Sequence, residues 1–162
     1  MSGFTAVGIS VTTVTTAAQG AQAPLGFVLT VPNGNLGNQE WVYVEAAETL
    51  TKGFVASRDP AAATTSPYKV FIGDAASTQV MTVGVAQHTI TAASFGFVLK
   101  SGVGTVLADG NVIAGTGIQP VAGGEVGPFA GTHEDHVIGM AMADDAGTGA
   151  TDFVDAVLDC GF

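Results

Sequence analysis

Apolar and polar residues alternate along this chain in short runs, and glycine, proline or asparagine ends nearly every run. A period of two, cut every few residues by turn formers, predicts strands and tight turns. Residues 4–16 (FTAVGISVTTVTT) alternate and are rich in Val and Thr, as suits an extended strand or arm. After the small-residue stretch 17–26, residues 27–31 (FVLTV) form a second strand. Pro32-Asn33-Gly34-Asn35 with Gly37 then marks a turn or linker. Beyond it, strands are expected at residues 40–45, 54–57, 68–73, 80–87 and 95–100, and again at 103–107, 112–113, 126, 137–143 and 153–158. The best helical stretch, residues 44–50 (VEAAETL), lasts about two turns before Gly53 stops it, so long helices are not expected.

Two parts of this pattern resemble each other. Leu50-Thr51-Lys52-Gly53-Phe54-Val55, Val83-Gly84-Val85-Ala86 and Phe97-Val98 are matched by Leu107-Ala108-Asp109-Gly110-Asn111-Val112, Ile138-Gly139-Met140-Ala141 and Phe153-Val154. The three anchors return at nearly constant spacing, which points to a duplicated β unit and a pseudo-symmetric domain. The expected organisation is an N-terminal arm and linker over residues 1–37 and a duplicated body over 38–162, with units at about 41–102 and 103–162.

Composition narrows the chemistry. Hydrophobic residues make up 47% of the 162, but aromatics only 7%, so the core should be thin and β-branched. Fourteen acids face four Lys and Arg, a net charge of −10. Beyond Lys100 nine acids meet no Lys or Arg. Nucleic-acid binding depends on basic side chains displacing counterions, so no nucleic-acid partner is expected. No apolar run reaches the length of a membrane-spanning helix, and no membrane partner is expected. Residues 21–23 (AQA) mimic a signal-cleavage site, but no positive segment precedes them and Thr interrupts the apolar run. Cys160 is the single cysteine, so an intrachain disulfide is impossible. Its apolar surroundings predict a buried thiol.

His133-Glu134-Asp135-His136 is the densest set of candidate metal ligands, but this spacing in a loop does not converge four ligands on one ion. Asp144-Asp145-Ala146-Gly147 with Asp152 and Asp155 has the composition of a calcium loop without its spacing, and reads as an acidic hairpin loop. Gly102-Val103-Gly104 lacks the continuation of a dinucleotide-binding loop. Three His stand in no local arrangement with Ser, Cys or Asp, although a triad can be scattered in sequence. Trp41 and Tyr43, two apart on a strand, share a face, either as a sugar platform or as half of an aromatic core. No catalytic, cofactor-binding or metal-binding residue is assigned, and a non-enzymatic role is expected.

The path from Gly53-Phe54-Val55 through a polar loop to Met81-Thr82-Val83-Gly84-Val85-Ala86 and Phe95-Gly96-Phe97-Val98-Leu99-Lys100-Ser101-Gly102 resembles the head decoration, or cement, proteins of tailed bacteriophages, including the lambda-type β-tulip proteins. The acidic second copy, with residues 137–143 (VIGMAMA), is similar to small virion proteins of marine and cyanobacterial phages. The resemblance spans about residues 41–162, and this chain departs from the lambda pattern in being longer and duplicated. It implies an all-β, β-tulip or barrel-like body. It also implies a homotrimer made in the host cytoplasm that sits on the outer capsid surface, bound to the major capsid protein and stabilising the mature shell. Phe4, Val7, Ile9, Val11 and Val14 on the arm are the expected capsid contacts, by strand addition to a sheet edge. The alternative is another virion β module, of tail, baseplate or fibre, that binds host glycans.

Overall fold

The computed structural model describes residues 8–59, 66–73, 81–131, 137–145 and 152–160, and over these the chain is all-β. Its strands are β1 (Thr15–Thr16), β2 (Val28–Pro32), β3 (Asn38–Ala46), β4 (Val55–Arg58), β5 (Lys69–Ile72), β6 (Thr82–Val85), β7 (Ser94–Ala108), β8 (Gly117–Pro120), β9 (Val126–Pro128), β10 (Gly139–Ala141) and β11 (Asp152–Asp159). Helical backbone among the described residues is confined to the 3-10 turns Gly34–Leu36 and Ala122–Gly124, and no helix is long and apolar enough to cross a membrane. The stretch with the best helical pattern is taken by β3 as far as Ala46, because its Val and Tyr residues are buried on both faces of the sheet.

Strand pairing closes two rings of five strands. In the first, β3 runs parallel to β5, β5 pairs β4, β4 pairs β6, β6 pairs β7, and β7 returns to β3. In the second, β7 runs parallel to β9, β9 pairs β8, β8 pairs β10, β10 pairs β11, and β11 returns to β7. The two circuits are the same circuit. The parallel pair Ala46↔Val70 recurs as Ala108↔Val126, and Ala56↔Gly84 recurs as Ile118↔Gly139. Ala46↔Ser94 recurs as Ala108↔Asp152. Bonds outside the ladders repeat as well: Gly53 N–H donates to Ala86 O at 2.7 Å and Gly115 N–H to Ala141 O at 2.8 Å. Both glycines sit at positive φ, 87° and 81°.

The duplication read from the sequence is therefore present, with two of its three anchors displaced. Val83-Gly84-Val85-Ala86 does correspond to Ile138-Gly139-Met140-Ala141. Leu50, however, corresponds to Val112 instead of Leu107, and it is Phe95, not Phe97, that corresponds to Phe153. The expected strand at residues 112–113 is irregular chain leading into the turn at 114–115, and β8 takes the place that corresponds to β4. Nor do the units meet between Gly102 and Val103. They share β7, whose first half closes one ring and whose second half opens the other.

Each ring is filled by the inward-facing residues of its strands. Val44, Ala46, Leu50, Ala56, Val70, Val83, Ala86 and Val98 are buried in the first, and Val106, Ala108, Val112, Ile118, Val126, Ile138, Ala141 and Ala156 occupy the corresponding places in the second. The exchanges of Leu50 for Val112 and Val98 for Ala156 remove volume, and those of Ala56 for Ile118 and Val83 for Ile138 restore it. Cores tolerate simultaneous change when total volume is kept.

The handover along β7 is localised. Ser101 opposes Glu40 of β3 and Asp159 of β11, beside a register shift at Glu40/Trp41. The next residue, Gly102, has φ 105°, and a Cβ there would lie 2.6 Å from the Asn38 carbonyl oxygen. Only glycine fits both the backbone conformation and the approach of β3.

The N-terminal residues join this body. β2 pairs β3 from Val28↔Val42 to Pro32↔Asn38, and Asn33 N–H donates to Gly37 O at 2.7 Å across the turn. The expected arm boundary at Pro32–Gly37 thus falls on the bend of an antiparallel hairpin.

Gly102→Ala is expected to lower unfolding free energy by about 3 kcal/mol, backbone strain and overpacking together. Gly115→Ala, where a Cβ meets open space, should cost about 1 kcal/mol. Urea denaturation of both variants measures the difference, and equal losses would mean that β3 does not press on Gly102.

Candidate interaction surface

The pseudo-symmetry allows the outer faces of the rings to be compared residue by residue. On the first ring, Tyr43 of β3, Val85 of β6 and Phe97 and Leu99 of β7 point outward, and all four are buried. Much of their cover is the chain's own N-terminal segment. Ile9, Val11, Ala23, Leu25, Phe27 and Val31 pack against the cluster that holds these residues. β1 pairs the start of β7, Thr15 with Phe95 and Thr16 with Ser94. The Tyr43 hydroxyl lies 3.3 Å from Thr15 Oγ1 and accepts from Gln22 N–H at 3.1 Å. Its ring meets those of Phe95 and Phe97, with centroids 6.4 and 4.9 Å away.

Tyr43 and Trp41 do face the same side, as their spacing predicts, but at 1% and 5% exposure they belong to the core and offer no sugar platform. Of the expected arm contacts, Ile9 and Val11 pack on this cluster and Val14 on the first ring's interior cluster. Phe4 and Val7 lie outside the described residues.

On the second ring, the corresponding face lacks this cover. Phe153 stands where the first ring has Phe95, Asp155 where it has Phe97, Val157 where it has Leu99, and Met140 where it has Val85. Phe153, Val157 and Met140 are 56%, 41% and 47% exposed, whereas Val154, Ala156 and Leu158 between them on β11 point inward. Val157 directly opposes Met140 across the ladder. Lys52 Nζ lies 5.3 Å from the centre of the Phe153 ring. Thr105 Oγ1 donates to Asp155 Oδ1 at 3.3 Å. The result is a strip of exposed apolar side chains around a carboxylate. Sequence reasoning missed it because the alternation of β11 marks a half-buried strand without saying whether another element covers its outer side.

The candidate chemical groups are dispersed. His133, Glu134, Asp135, His136, Ala146 and Gly147 lie outside the described residues. Among the described residues, no three His, Cys, Asp or Glu side chains gather as a metal site. Asp144 Oδ1 accepts from Ala114 N–H at 2.7 Å, and Asp145 N–H donates to Val112 O at 2.8 Å, so both close a turn. Cys160 is buried, as its surroundings predict, and burial followed by the neighbouring Asp159 charge pushes its thiol up to about 12. It stays protonated and unreactive near neutrality. His88 is the other perturbed group: burial lowers its pKa, and neither ring nitrogen meets a protein partner.

No protein-family model matches this chain, and no curated protein matches it. A solved structure, that of the head fiber gp8.5 N base in bacteriophage phi29, resembles it with a TM-score of 0.51 and 14% sequence identity, over 75% of this chain and 94% of that one. At that identity the likeness is one of fold.

Deleting residues 1–20 should uncover Tyr43 and Phe97. The truncated protein is expected to melt several degrees lower and to aggregate, as followed by circular dichroism and light scattering. A soluble truncation of unchanged stability would make those residues a separable arm.

Acid should weaken the fold through His88. Its folded pKa lies below the ordinary 6.5, so the unfolded chain binds the proton first. The stability it confers is fully present above pH 6.5 and falls as pH drops from there toward the folded value. His88→Leu should flatten this limb of the melting-temperature profile relative to the wild type, and superimposable slopes would exclude His88 as the source.

Proposed function

We propose that this chain is a non-enzymatic structural protein of a phage virion, seated on the outer surface of the head, where it binds the major capsid protein and stabilises the mature shell. The observation that carries the reading is the double-ring fold, which resembles the base of a phage head fibre over 94% of that protein. The resemblance of residues 81–86 and 95–102 to head decoration proteins supports it independently of the fold.

The physics suits a firm attachment. Two closed rings leave few open strand edges, which favours a rigid particle that does not polymerise edge to edge. A protein that binds the mature lattice and not its open forms stabilises the shell by linkage. A homotrimer, the assembly that the resemblance implies, adds effective concentration, so three modest contacts give firm attachment. Ile9, Val11 and Val14 are engaged with this chain's own cores, so strand addition through them requires their release. The exposed strip of the second ring meets no such obstacle. Burial of Trp41 and Tyr43 favours attachment over glycan capture, which uses exposed aromatic platforms.

Co-expression with the major capsid protein encoded in the same genome tests the proposal. The chain should sediment with assembled heads and raise their melting temperature by several degrees. Recovery with tails, or heads whose melting is unchanged by saturating protein, would overturn it.

A further inference from the structure

The two rings share one circuit and one register, yet the outer face of the first is covered and that of the second is open. On the first ring the cover is a run of turns and bends that holds one short strand, β1. β1 pairs Ser94 and Phe95 at the start of β7, on the edge away from β3, and the residues after it bond to Tyr43, Gln22 N–H to its hydroxyl and Gly26 N–H to its carbonyl oxygen. The corresponding edge on the second ring is that of β11 away from β7. There β10 pairs only Ala156, Val157 and Leu158, and Met142 N–H donates to Asp155 O at 2.8 Å. Among the described residues no strand pairs this edge at Asp152 and Phe153, where the first ring receives β1.

We propose that the outer face of the second ring, with Phe153, Val157 and Met140 around Asp155, binds an extended segment of a partner protein that alternates apolar and basic side chains. The segment would pair the Asp152–Phe153 edge as β1 pairs β7 and lay its apolar side chains on the strip. A strand edge unpaired among the described residues, beside exposed apolar side chains, is the arrangement that β-strand addition uses, with backbone bonds for affinity and alternate side chains for specificity.

Charge selects the partner. The first ring places Phe97 and Tyr43 under its own apolar cover, and the second places Asp155 and Thr105 at the same points. Asp155 and Asp159 alternate with Phe153 and Val157 on β11, and no Lys or Arg occurs beyond Lys100. A second copy brought to this face would set these carboxylates against each other. Three of the chain's four bases are engaged elsewhere, Lys69 with Glu45 at 3.4 Å, Lys100 with Glu40 at 3.8 Å, and Arg58 over the Tyr68 ring, and the fourth, Lys52, lies on the strip itself over Phe153. Lys52 sits on the ring of Phe153 and forms no ion pair with Asp155 or Asp159, so the basic groups that complement these carboxylates come from another protein, where opposite charge speeds encounter and rejects acidic segments. The position of Lys52 over Phe153 illustrates the contact, a cation on the ring face. The inference concerns this face alone and holds whichever virion surface the chain occupies.

Titration of the full chain with synthetic peptides at physiological salt tests it. One peptide alternates Val and Lys, a second Val and Glu, and a third Ser and Lys. The Val/Lys peptide should bind best and shift amide resonances of β10 and β11. Asp155→Lys and Val157→Ser should each weaken it about tenfold, and Glu125→Lys, with the same change in net charge as Asp155→Lys but on the turn facing the first ring, should leave it unchanged. Equal weakening by Asp155→Lys and Glu125→Lys would reduce the effect to overall charge and overturn the proposal, as would equal binding of the Ser/Lys peptide or shifts confined to other strands. Sedimentation supplies the remaining outcome. A wild-type oligomer dissolved by Val157→Lys would make a second copy the occupant, and the proposal would fall.

Discussion

β7 is the member on which everything else is hung. Short strands of three to five residues make few ladder bonds each, and an isolated set of them would be marginal. Closing them into rings removes the open edges, but each ring needs a strand long enough to hold both its first and its last neighbour. β7 does this for two rings at once. Its fifteen residues give Ser94–Ser101 to β3 and Ser101–Ala108 to β11. The transfer requires that the strand accept close approach at one point, and Gly102 with its positive φ provides it.

From this sharing follows an asymmetry that the duplication alone does not contain. The two units have the same pairing circuit and nearly the same internal volume, but they occur once each, in order. The first is preceded by a segment that folds back over Tyr43, Phe95 and Phe97. The corresponding face of the second has no such cover among the described residues. In stacked repeats, the terminal unit either carries a polar outer face or offers its exposed side to something else. Here the exposed side mixes both: Asp155 replaces a buried phenylalanine, while Phe153, Val157 and Met140 remain apolar. A face that is apolar enough to bind and acidic enough to stay soluble suits a surface that meets one kind of partner.

The charge distribution agrees with that division of labour. All four basic residues lie in the first hundred positions, and the nine acids beyond Lys100 have no basic neighbour in sequence. Like charge on this half opposes its contact with the same half of another copy.

The alternation of Val, Thr and aromatic residues with polar ones, and the glycine punctuation between them, determined the all-β class and most strand positions, because each is a local consequence of backbone sterics and side-chain period. Three anchors at nearly constant spacing disclosed the duplication, although only the Gly84/Gly139 anchor keeps the register of the fold. Other matters were decided only in three dimensions. Leu50 was matched to Leu107 by residue identity, but hydrogen bonding equates it with Val112, since a fold conserves inward volume and backbone pairing before it conserves side-chain type. Gly117–Pro120, with a single buried aliphatic between glycine and proline, carries almost no strand signal and is a strand because its neighbours leave that place to be filled. The pattern of residues 9–31 does not distinguish an arm reaching outward from a cover folded back, because an extended apolar segment satisfies either surface. Which one it meets depends on Tyr43 and Phe97, distant in sequence and brought beneath it by the closing of the first ring.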